Sequence, residues 1–356
     1  MRKSAIDLLV EPSTGAPLAL TDAVERDGEI VEGTLSGAGR TFAITNGIAR
    51  MANVGDPGQR QTQESFGYKW KRENTYTSKS VTTAFEEWEV KRYGFASAAA
   101  MRDYFGSRRR ILDAGCGGGM STSVWMREGW QRRPDAEWFG VDISEAIDVV
   151  KARLGTIAGT HFVQADLMDL PFAAGTFDTV FSEGVLHHTP STRAALASVV
   201  NMLAPGGEIL FYVYVKKAPI REFADDWVRD RISPMSPDEA WEALRPLTAL
   251  GEALAKLKVN VDVPQDIPYL GIKAGTHDVQ RLVYWHVLKL FWNDEFSFDE
   301  NNHVNYDWYH PRYAHRQTED EVRQWCGELG LTIQHFDGQE SGMTIRAIKT
   351  GTAAQG

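Results

Sequence analysis

The sequence predicts an α/β protein built around a doubly wound, mostly parallel sheet. Between residues 106 and 215, short apolar runs alternate with helical stretches, which is the pattern of βαβ units. A glycine-rich turn at residues 115–119 follows the first of these apolar runs and precedes a helical stretch. The chain has 356 residues, of which 43% are hydrophobic, so it can bury a large core.

The composition of the chain limits the binding partners and the cellular compartment that we expect. The formal net charge is −10, so the surface would repel a phosphate backbone, and nucleic acid is a disfavoured partner. The two cysteines, Cys116 and Cys326, can form neither a disulfide framework nor a cysteine-only zinc site. The sequence lacks a signal peptide pattern and the roughly 20 apolar residues that span a bilayer. We therefore expect a cytoplasmic protein without membrane contact.

Two segments precede the predicted core. Residues 1–55 alternate short apolar runs with glycine and proline, a pattern typical of a small β-rich module. Residues 56–105 begin with a Gly/Pro-rich linker and continue with aromatic residues at loosely helical spacing. We expect this second segment to form a helical, aromatic lid, although its aromatic residues could equally serve only to pack on the next domain.

The core and the segments after it are predicted from their periodicity. Residues 216–310 have helical patterns without βαβ alternation and are expected to form a helical insertion that caps a substrate pocket. Residues 311–350 should supply a last helix, opened by a capping box at Thr318 and Glu321, and a terminal antiparallel hairpin. Strands of the core, residues 106–215, are placed near 110–114, 137–141, 160–164, 177–182 and 207–215.

The glycine turn has an acidic residue on each side. Gly115 and Gly117 allow positive φ angles and a close approach of a ligand to the backbone. Asp142 ends the next predicted strand, where a carboxylate can accept both hydroxyls of a ribose. The third glycine of a dinucleotide fingerprint would fall on Met120, and Asp113 before the turn would repel a pyrophosphate. Because Asp113 could instead pair with the ammonium of an amino acid, the pattern points away from NAD.

Six segments along the chain carry a further pattern: residues 113–119, 140–144, 164–167, 170–178, 185–188 and 203–208. In this order they resemble the class I S-adenosylmethionine-dependent methyltransferases, in particular the ubiquinone/menaquinone-methyltransferase-like branch. The resemblance covers about residues 105–215 and the terminal hairpin, and it implies a Rossmann-like fold with S-adenosylmethionine as the cofactor.

The resemblance also implies which residues contact the cofactor. Asp113, Gly115 and Gly117 would hold the methionine part, with Cys116 between them as a further contact. Around the nucleoside and the sulfonium, Asp142 would bind the ribose, Ile143 and the pair Asp166 and Leu167 would contact the adenine, and Glu183 and Gly184 would lie beneath the sulfonium.

Two N-terminal segments resemble parts of related enzymes. The module at residues 1–55 is similar to a zinc-ribbon-like domain that accompanies methyltransferases, but it contains no cysteine, so we predict a zinc-free module and no metal site. It would pack on the catalytic domain or on a partner subunit. Residues 63–70 resemble a segment that folds over the cofactor, where Phe66, Tyr68 or Trp70 could present an aromatic face to the sulfonium.

The candidate bases are two adjacent histidines. His187 and His188 follow the fourth predicted core strand, at the carboxyl edge where open α/β sheets bind ligands. Imidazole suits proton transfer near neutral pH. A purely structural role for one or both histidines, or a metal site that includes Glu183, are the alternatives.

The acceptor site is predicted from an aromatic segment near the end of the chain. Residues 305–315 are rich in aromatic and hydrogen-bonding side chains, which favours a substrate wall, with a buried hinge as the alternative. The aromatic residues of the insertion could also line the pocket or form core. Predicted substrate contacts are Tyr212, Tyr306, Trp308, Tyr309, Arg312 and His315.

These observations predict a methyltransferase that acts on a small-molecule acceptor, with oxygen of a sugar-like or secondary metabolite as the favoured target and carbon and nitrogen left open. One alternative is a protein or RNA methyltransferase, for which the N-terminal module argues. Another is a protein that retains the cofactor fold but transfers no methyl group. A homodimer is compatible with the sequence.

Overall fold

The computed structural model describes residues 1–72, 79–127 and 129–351, so residues 73–78 of the predicted lid lie outside the described part. The strands in these ranges are β1 (Ala19–Arg26), β2 (Glu29–Gly37), β3 (Arg40–Thr45), β4 (Ile48–Arg50), β5 (Arg110–Ala114), β6 (Glu137–Asp142), β7 (Thr160–Gln164), β8 (Phe177–Glu183), β9 (Leu203–Tyr214), β10 (Asn260–Val263), β11 (Gly275–Asp278), β12 (Leu331–Gly338) and β13 (Gly342–Lys349).

The α-helices lie before, between and after these strands. They are α1 (Lys3–Ile6), α2 (Pro57–Lys71), α3 (Lys79–Arg92), α4 (Ala98–Gly106), α5 (Met120–Trp125), α6 (Ala146–Leu154), α7 (Thr192–Asn201), α8 (Pro219–Ile232), α9 (Pro237–Lys256), α10 (Val279–His286), α11 (Phe298–Tyr309) and α12 (Glu319–Glu328). No described helix is long and apolar enough to cross a bilayer.

The centre of the fold is a parallel sheet with the order β7-β6-β5-β8-β9. Its strands are apolar on both faces because helices cover both sides, as in other parallel sheets. The strand order reverses between β5 and β8, and this switch point is where open α/β sheets bind ligands. The α/β fold class predicted from the sequence is confirmed, and β13 and β12 complete the sheet as the antiparallel hairpin.

The N-terminal strands continue the same sheet. β1 to β4 form an antiparallel meander, and β4 then pairs in parallel with β7, with Ile48 opposite Phe162. Arg50 adds a two-pronged ion pair to Asp148 of α6, with nitrogen–oxygen distances of 2.6 and 2.9 Å. Leu35 is fully buried in the apolar cluster that also contains residues of the central strands. The segment predicted as a small module is therefore an extension of the central sheet.

The insertion is mostly helical but also contains the two-stranded sheet of β10 and β11. The sequence does not predict these strands because each has only four residues: β10 alternates polar and apolar residues too briefly to stand out, and β11 contains no apolar side chain. Within the insertion, α9 packs on α11 through buried side-chain hydrogen bonds. Thr248 donates to Asn302 at 2.7 Å and accepts from Asn305 at 2.9 Å. These bonds satisfy polar groups that would otherwise be costly to bury.

The lid helices are set by local caps and by stacking of aromatic side chains. The carboxylate of Asp56 accepts from the backbone N–H of Gln59 at 2.7 Å, and Pro57 occupies the first position of α2. At the other end of the lid, Phe105 stacks on Trp125 of α5 with ring centroids 3.9 Å apart. The lid is thereby attached to the sheet beside the predicted cofactor site.

Because the N-terminal and central strands share one buried cluster, we expect a cavity-forming substitution in β2 to destabilise the whole sheet. Leu35→Ala should lower the free energy of unfolding by about 2–5 kcal/mol, because it leaves a cavity in a cluster common to the N-terminal and central strands. All eleven tryptophans lie at or after position 70, so tryptophan fluorescence in urea reports on the rest of the protein. Val24→Ala, at an exposed site on β1, is the control. An unchanged fluorescence midpoint for Leu35→Ala would show that the N-terminal strands unfold independently.

Candidate active site

A cavity of about 590 Å³ lies at the carboxyl ends of β5, β6 and β8, between the sheet, α2 and the insertion. Its size is in the range of cavities that enclose small organic ligands. Of the residues predicted from the sequence, those that line it are Phe66, Trp70, Asp113, Gly115, Cys116, Gly117, Asp142, Ile143, Asp166, Leu167, Glu183, Gly184, His188, Tyr212 and Trp308.

The glycine turn between β5 and α5 brings the backbone close to its surroundings. Gly115 and Gly117 have φ angles of +84° and +50°, which side chains other than glycine rarely adopt. A Cβ atom on Gly115 would lie 2.2 Å from the side chain of Val185. A Cβ atom on Gly117 would lie 2.8 Å from the indole of Trp70. Both positions therefore require glycine, and the turn presents bare backbone beneath the lid.

Two buried carboxylates flank this turn. Thr122 of α5 donates its hydroxyl hydrogen to Asp113. Asp142 accepts from the backbone N–H of Gly117 at 2.9 Å with one oxygen, and from the N–H and hydroxyl of Ser144 at 2.8 and 2.6 Å with the other. Burial raises the pKa of both carboxyls, and that of Asp113 rises to about 7. This end of the cavity thus favours a ligand that is cationic or rich in hydrogen-bond donors.

Two further acidic side chains continue this lining. Asp166, after β7, accepts from the backbone N–H of Met168 at 2.9 Å, and burial raises its pKa. Glu183, at the end of β8, forms an ion pair with Arg92 at 3.0 Å and accepts from the hydroxyl of Tyr93. Burial also raises the pKa of Glu183. The acidic residues at the strand ends therefore lie along one side of the same cavity.

The carboxylates of this cavity fit S-adenosylmethionine, which carries an ammonium, a ribose diol and a sulfonium. Asp113 could pair with the ammonium and Asp142 with the diol, one on each side of the glycine turn. Phe66 and Trp70 enter the cavity from α2, which Gln63 ties to the sheet by donating to the carbonyl of Ile143 at 2.8 Å. An aromatic face opposite acidic side chains is a favourable environment for a cation.

His188 lies in a short 3₁₀ turn after β8, and its ring has a defined orientation. Its Nδ1 lies 2.6 Å from the carbonyl oxygen of Tyr313, which can only accept, so Nδ1 carries the hydrogen and Nε2 holds a lone pair. Phe66 packs edge-on against the ring at a centroid distance of 4.8 Å. Burial lowers the pKa of His188 to about 4, so the imidazole is neutral at physiological pH.

His187 is placed differently, although it is the adjacent residue. It is fully buried outside the cavity lining, and its ring packs on Tyr214 at a centroid distance of 3.7 Å. Neither ring nitrogen has a hydrogen-bond partner among the described residues. Of the two predicted bases, only His188 borders the cavity, because the 3₁₀ turn directs consecutive side chains to different sides.

Only some side chains of the predicted substrate wall border the cavity. Trp308 borders the cavity, whereas Tyr306 packs between Trp241 and Tyr68 on another face of α11. The remaining side chains also lie outside the cavity lining. The hydroxyl of Tyr309 donates to Asp225 at 2.8 Å, Arg312 pairs with Asp230 at an exposed site, and the ring of His315 stacks on Tyr313. Most of the predicted contacts therefore pack within the insertion, as Tyr309 does, or against the lid, as Tyr306 does, and do not form a wall of the cavity.

Tyr212 borders the cavity but its ring face is already covered. The guanidinium of Arg92 lies between the rings of Tyr212 and Trp88, at 3.7 and 3.6 Å from their centroids. Arg92 also pairs with Glu183, so it neutralises one of the buried carboxylates. The sequence gives no signal for Arg92, because it lies in a polar helix of the lid far from the recognised motifs.

Sequence reasoning also missed several charged residues of the cavity lining. Asp307 of α11 accepts from the ammonium of Lys69 at 2.8 Å. Lys289 interrupts the most apolar stretch of the insertion, which is the one signal that could have singled it out. The charged lining residues that were not predicted are Lys69, Lys217, Arg221, Arg281, Lys289, Asp307 and Glu340.

Comparison with known proteins matches the centre of the sheet. Residues 112–211 match the family described as a methyltransferase domain. An uncharacterized protein of Synechococcus sp. is 37% identical over 124 residues, which are 33% of this chain and 29% of that protein. A fatty-acid O-methyltransferase of Mycolicibacterium smegmatis is 35% identical over 145 residues, 40% of this chain and 49% of that protein. A tRNA (carboxymethyluridine(34)-5-O)-methyltransferase of Xenopus tropicalis is 26% identical over 235 residues, 63% and 33% of the two chains.

This chain spans half or less of the length of these curated relatives. The domain match agrees with the resemblance to methyltransferases over the strands that supply the glycine turn and the acidic residues at the strand ends. The narrower ubiquinone/menaquinone branch and the zinc-ribbon likeness of the N-terminal segment stay predictions.

Binding of S-adenosylhomocysteine should depend on pH through Asp113. This carboxyl, with a pKa of about 7, is ionised above neutrality and pairs with the ligand's ammonium only in that form. We expect the affinity to fall by roughly tenfold between pH 8 and pH 6, measured by isothermal titration calorimetry. Asp113→Asn should bind more weakly at pH 8 and show no such pH dependence. The exposed Asp103→Asn is the control, and a flat pH profile for the unmodified protein would contradict this role.

Proposed function

We propose that this protein is an S-adenosylmethionine-dependent methyltransferase that methylates an oxygen atom of a small organic acceptor. The observation that carries the proposal is a single cavity with two chemically distinct sides. Acidic residues at the strand ends and the glycine turn line one side, and His188, whose Nε2 is unprotonated, borders the same cavity. The methyltransferase domain match over residues 112–211 supports the cofactor assignment.

Cofactor binding would use the groups at the strand ends. Asp113 would hold the ammonium, Asp142 the ribose diol, and Asp166 with Leu167 the edge of the adenine. When bound, S-adenosylmethionine supplies a methyl group that its sulfonium already activates. The protein therefore has to position the acceptor in line with that group and to accept the acceptor's proton.

His188 is suited to accept that proton. The carbonyl of Tyr313 fixes the tautomer and the ring orientation, so the lone pair of Nε2 is available without rearrangement. Burial lowers the pKa of His188 to about 4, which keeps the ring neutral and its lone pair free across the physiological range but makes the imidazole a weaker base than free histidine. The negative charge of Asp307 favours the imidazolium that forms when the proton arrives. A hydroxyl acceptor placed beside Nε2 would thus lose its proton as its oxygen bonds to carbon.

A small acceptor fits the surroundings better than a macromolecule. The insertion covers the cavity with the aromatic side chains of Tyr284, Trp285 and Trp308. A concave cavity of this size with aromatic side chains in its lining suits an organic molecule of moderate size. The net charge of −10 also disfavours an RNA acceptor.

Replacement of His188 should abolish transfer without affecting cofactor binding. We expect His188→Asn to reduce methyl transfer by about 10²–10⁴-fold, while its affinity for S-adenosylhomocysteine stays within about threefold of the unmodified protein. The assay follows labelled methyl from S-adenosylmethionine into a cell extract of the source organism, separated into low-mass and macromolecular fractions.

The matched control is His277→Asn, on β11 and remote from the cavity, which should retain full activity. Label in the low-mass fraction supports the proposal. Label confined to macromolecules would indicate a protein or RNA acceptor, and no transfer despite cofactor binding would indicate a protein that has lost the chemistry. Undiminished transfer by His188→Asn would exclude His188 as the base.

A further inference from the structure

The inference concerns Lys289, which follows α10 in the insertion. Its side chain is only 7% exposed, yet it borders the cavity. Its ammonium lies 4.4 Å from the ring centroid of Trp308 and has no hydrogen bond or ion pair among the described residues. A buried ammonium without a counter-ion is costly, and burial accordingly lowers the pKa of Lys289 to about 7. An anion bound beside Lys289 would offset this cost and favour the charged form.

The acidic groups near Lys289 are already engaged. Asp225 accepts from the guanidinium of Arg221 at 2.6 Å, from the indole of Trp308 at 2.9 Å and from the hydroxyl of Tyr309 at 2.8 Å. It also accepts from the backbone N–H of Lys289 at 3.1 Å. The other nearby carboxylate, Asp307, pairs with Lys69. Neither is free to neutralise the ammonium of Lys289.

Further positive charge faces the same part of the cavity. Arg221 is 1% exposed and also donates to the carbonyl of Tyr284. Burial is the main cause that lowers the pKa of Lys289, and the positive charge of Arg221 lowers it further. Lys217 donates to the backbone carbonyls of Glu340 and Ser341, which leaves its charge without a counter-ion. Cations therefore outnumber anions at this side of the cavity.

Lys289 and His188 contact the same aromatic wall at different points. Tyr214 packs against both His188 and Trp308, with centroid distances of 5.5 and 4.6 Å. Trp308 in turn contacts the ammonium of Lys289. A ligand that lies along this wall can therefore reach the base with one group and the lysine with another.

We propose that Lys289, supported by Arg221 and Lys217, binds an anionic group of the methyl acceptor, a carboxylate or a phosphate, at a distance from the oxygen that receives the methyl group. This assignment rests on the proposed function, since it names the class of substrate for the same cavity. The acceptor would then be an aromatic or otherwise apolar molecule with a hydroxyl at one end and an anion at the other.

The experiment compares three small probes on the protein saturated with S-adenosylhomocysteine. Benzoate, phenyl phosphate and neutral benzyl alcohol are titrated, and binding is followed by tryptophan fluorescence. We expect at least one anion to bind about tenfold or more tightly than benzyl alcohol. The stronger of the two anions distinguishes a carboxylate site from a phosphate site. Labelled low-mass product from the transfer assay should also be retained on an anion exchanger.

Lys289→Met removes the charge at nearly constant volume and is the decisive variant. It should abolish the preference for anions, keep its affinity for S-adenosylhomocysteine within about threefold, and unfold at a temperature no lower than the unmodified protein. Lys273→Gln, which removes an exposed charge in the same insertion, is the matched control and should behave as the unmodified protein.

The outcomes separate the two proposals. Failure of the unmodified protein to bind S-adenosylhomocysteine would contradict the proposed function itself. Cofactor binding without any preference for anions, or an unchanged preference in Lys289→Met, would overturn the anion site alone. A tenfold loss of S-adenosylhomocysteine affinity in Lys289→Met would also overturn it, because Lys289 would then serve the cofactor's carboxylate.

Discussion

Burial of several carboxylates in one cavity is the constraint on which the rest of the site depends. Because β5, β6 and β8 are parallel, their carboxyl ends bring Asp113, Asp142 and Glu183 to one edge of the sheet. Burial penalises their charged forms, and the protein offsets this with few donors. Gly117 donates to Asp142, Thr122 donates to Asp113, and Arg92 pairs with Glu183. A cationic ligand rich in hydroxyl groups would complete these interactions.

Charge is distributed unevenly around the cavity. The strand ends contribute acidic groups, whereas the insertion contributes four cations, Lys217, Arg221, Arg281 and Lys289, and the carboxylate of Asp307. Trp308 and Tyr214 lie between His188 and Lys289, so one aromatic surface could align an acceptor relative to the base. This arrangement would allow the central sheet to provide the cofactor chemistry and the insertion to select the acceptor.

The central sheet and the cofactor side of the cavity could be predicted because neighbouring residues in the sequence specify them. The attachment of the N-terminal strands and the orientation of the histidines could not, because they depend on contacts between residues far apart in the sequence. The apolar strands and the motif around Asp113 specify the sheet and the cofactor side. By contrast, the pairing of Ile48 with Phe162, which joins the N-terminal strands to the sheet, has no local signature. His187 and His188 are equivalent in sequence, but the 3₁₀ turn directs their side chains to different sides. The carbonyl of Tyr313, far along the chain, then fixes the ring of His188. Strands β10 and β11 escape prediction for a different reason, because each is only four residues long and mostly exposed.

The crystal structure of the complex with S-adenosylhomocysteine tests the central claim most directly. The account predicts the ammonium of the ligand within hydrogen-bonding distance of Asp113, the ribose hydroxyls on Asp142, and the sulfur facing the same space as Nε2 of His188. A ligand bound elsewhere, or one whose sulfur is separated from His188 by the aromatic wall, would contradict the account.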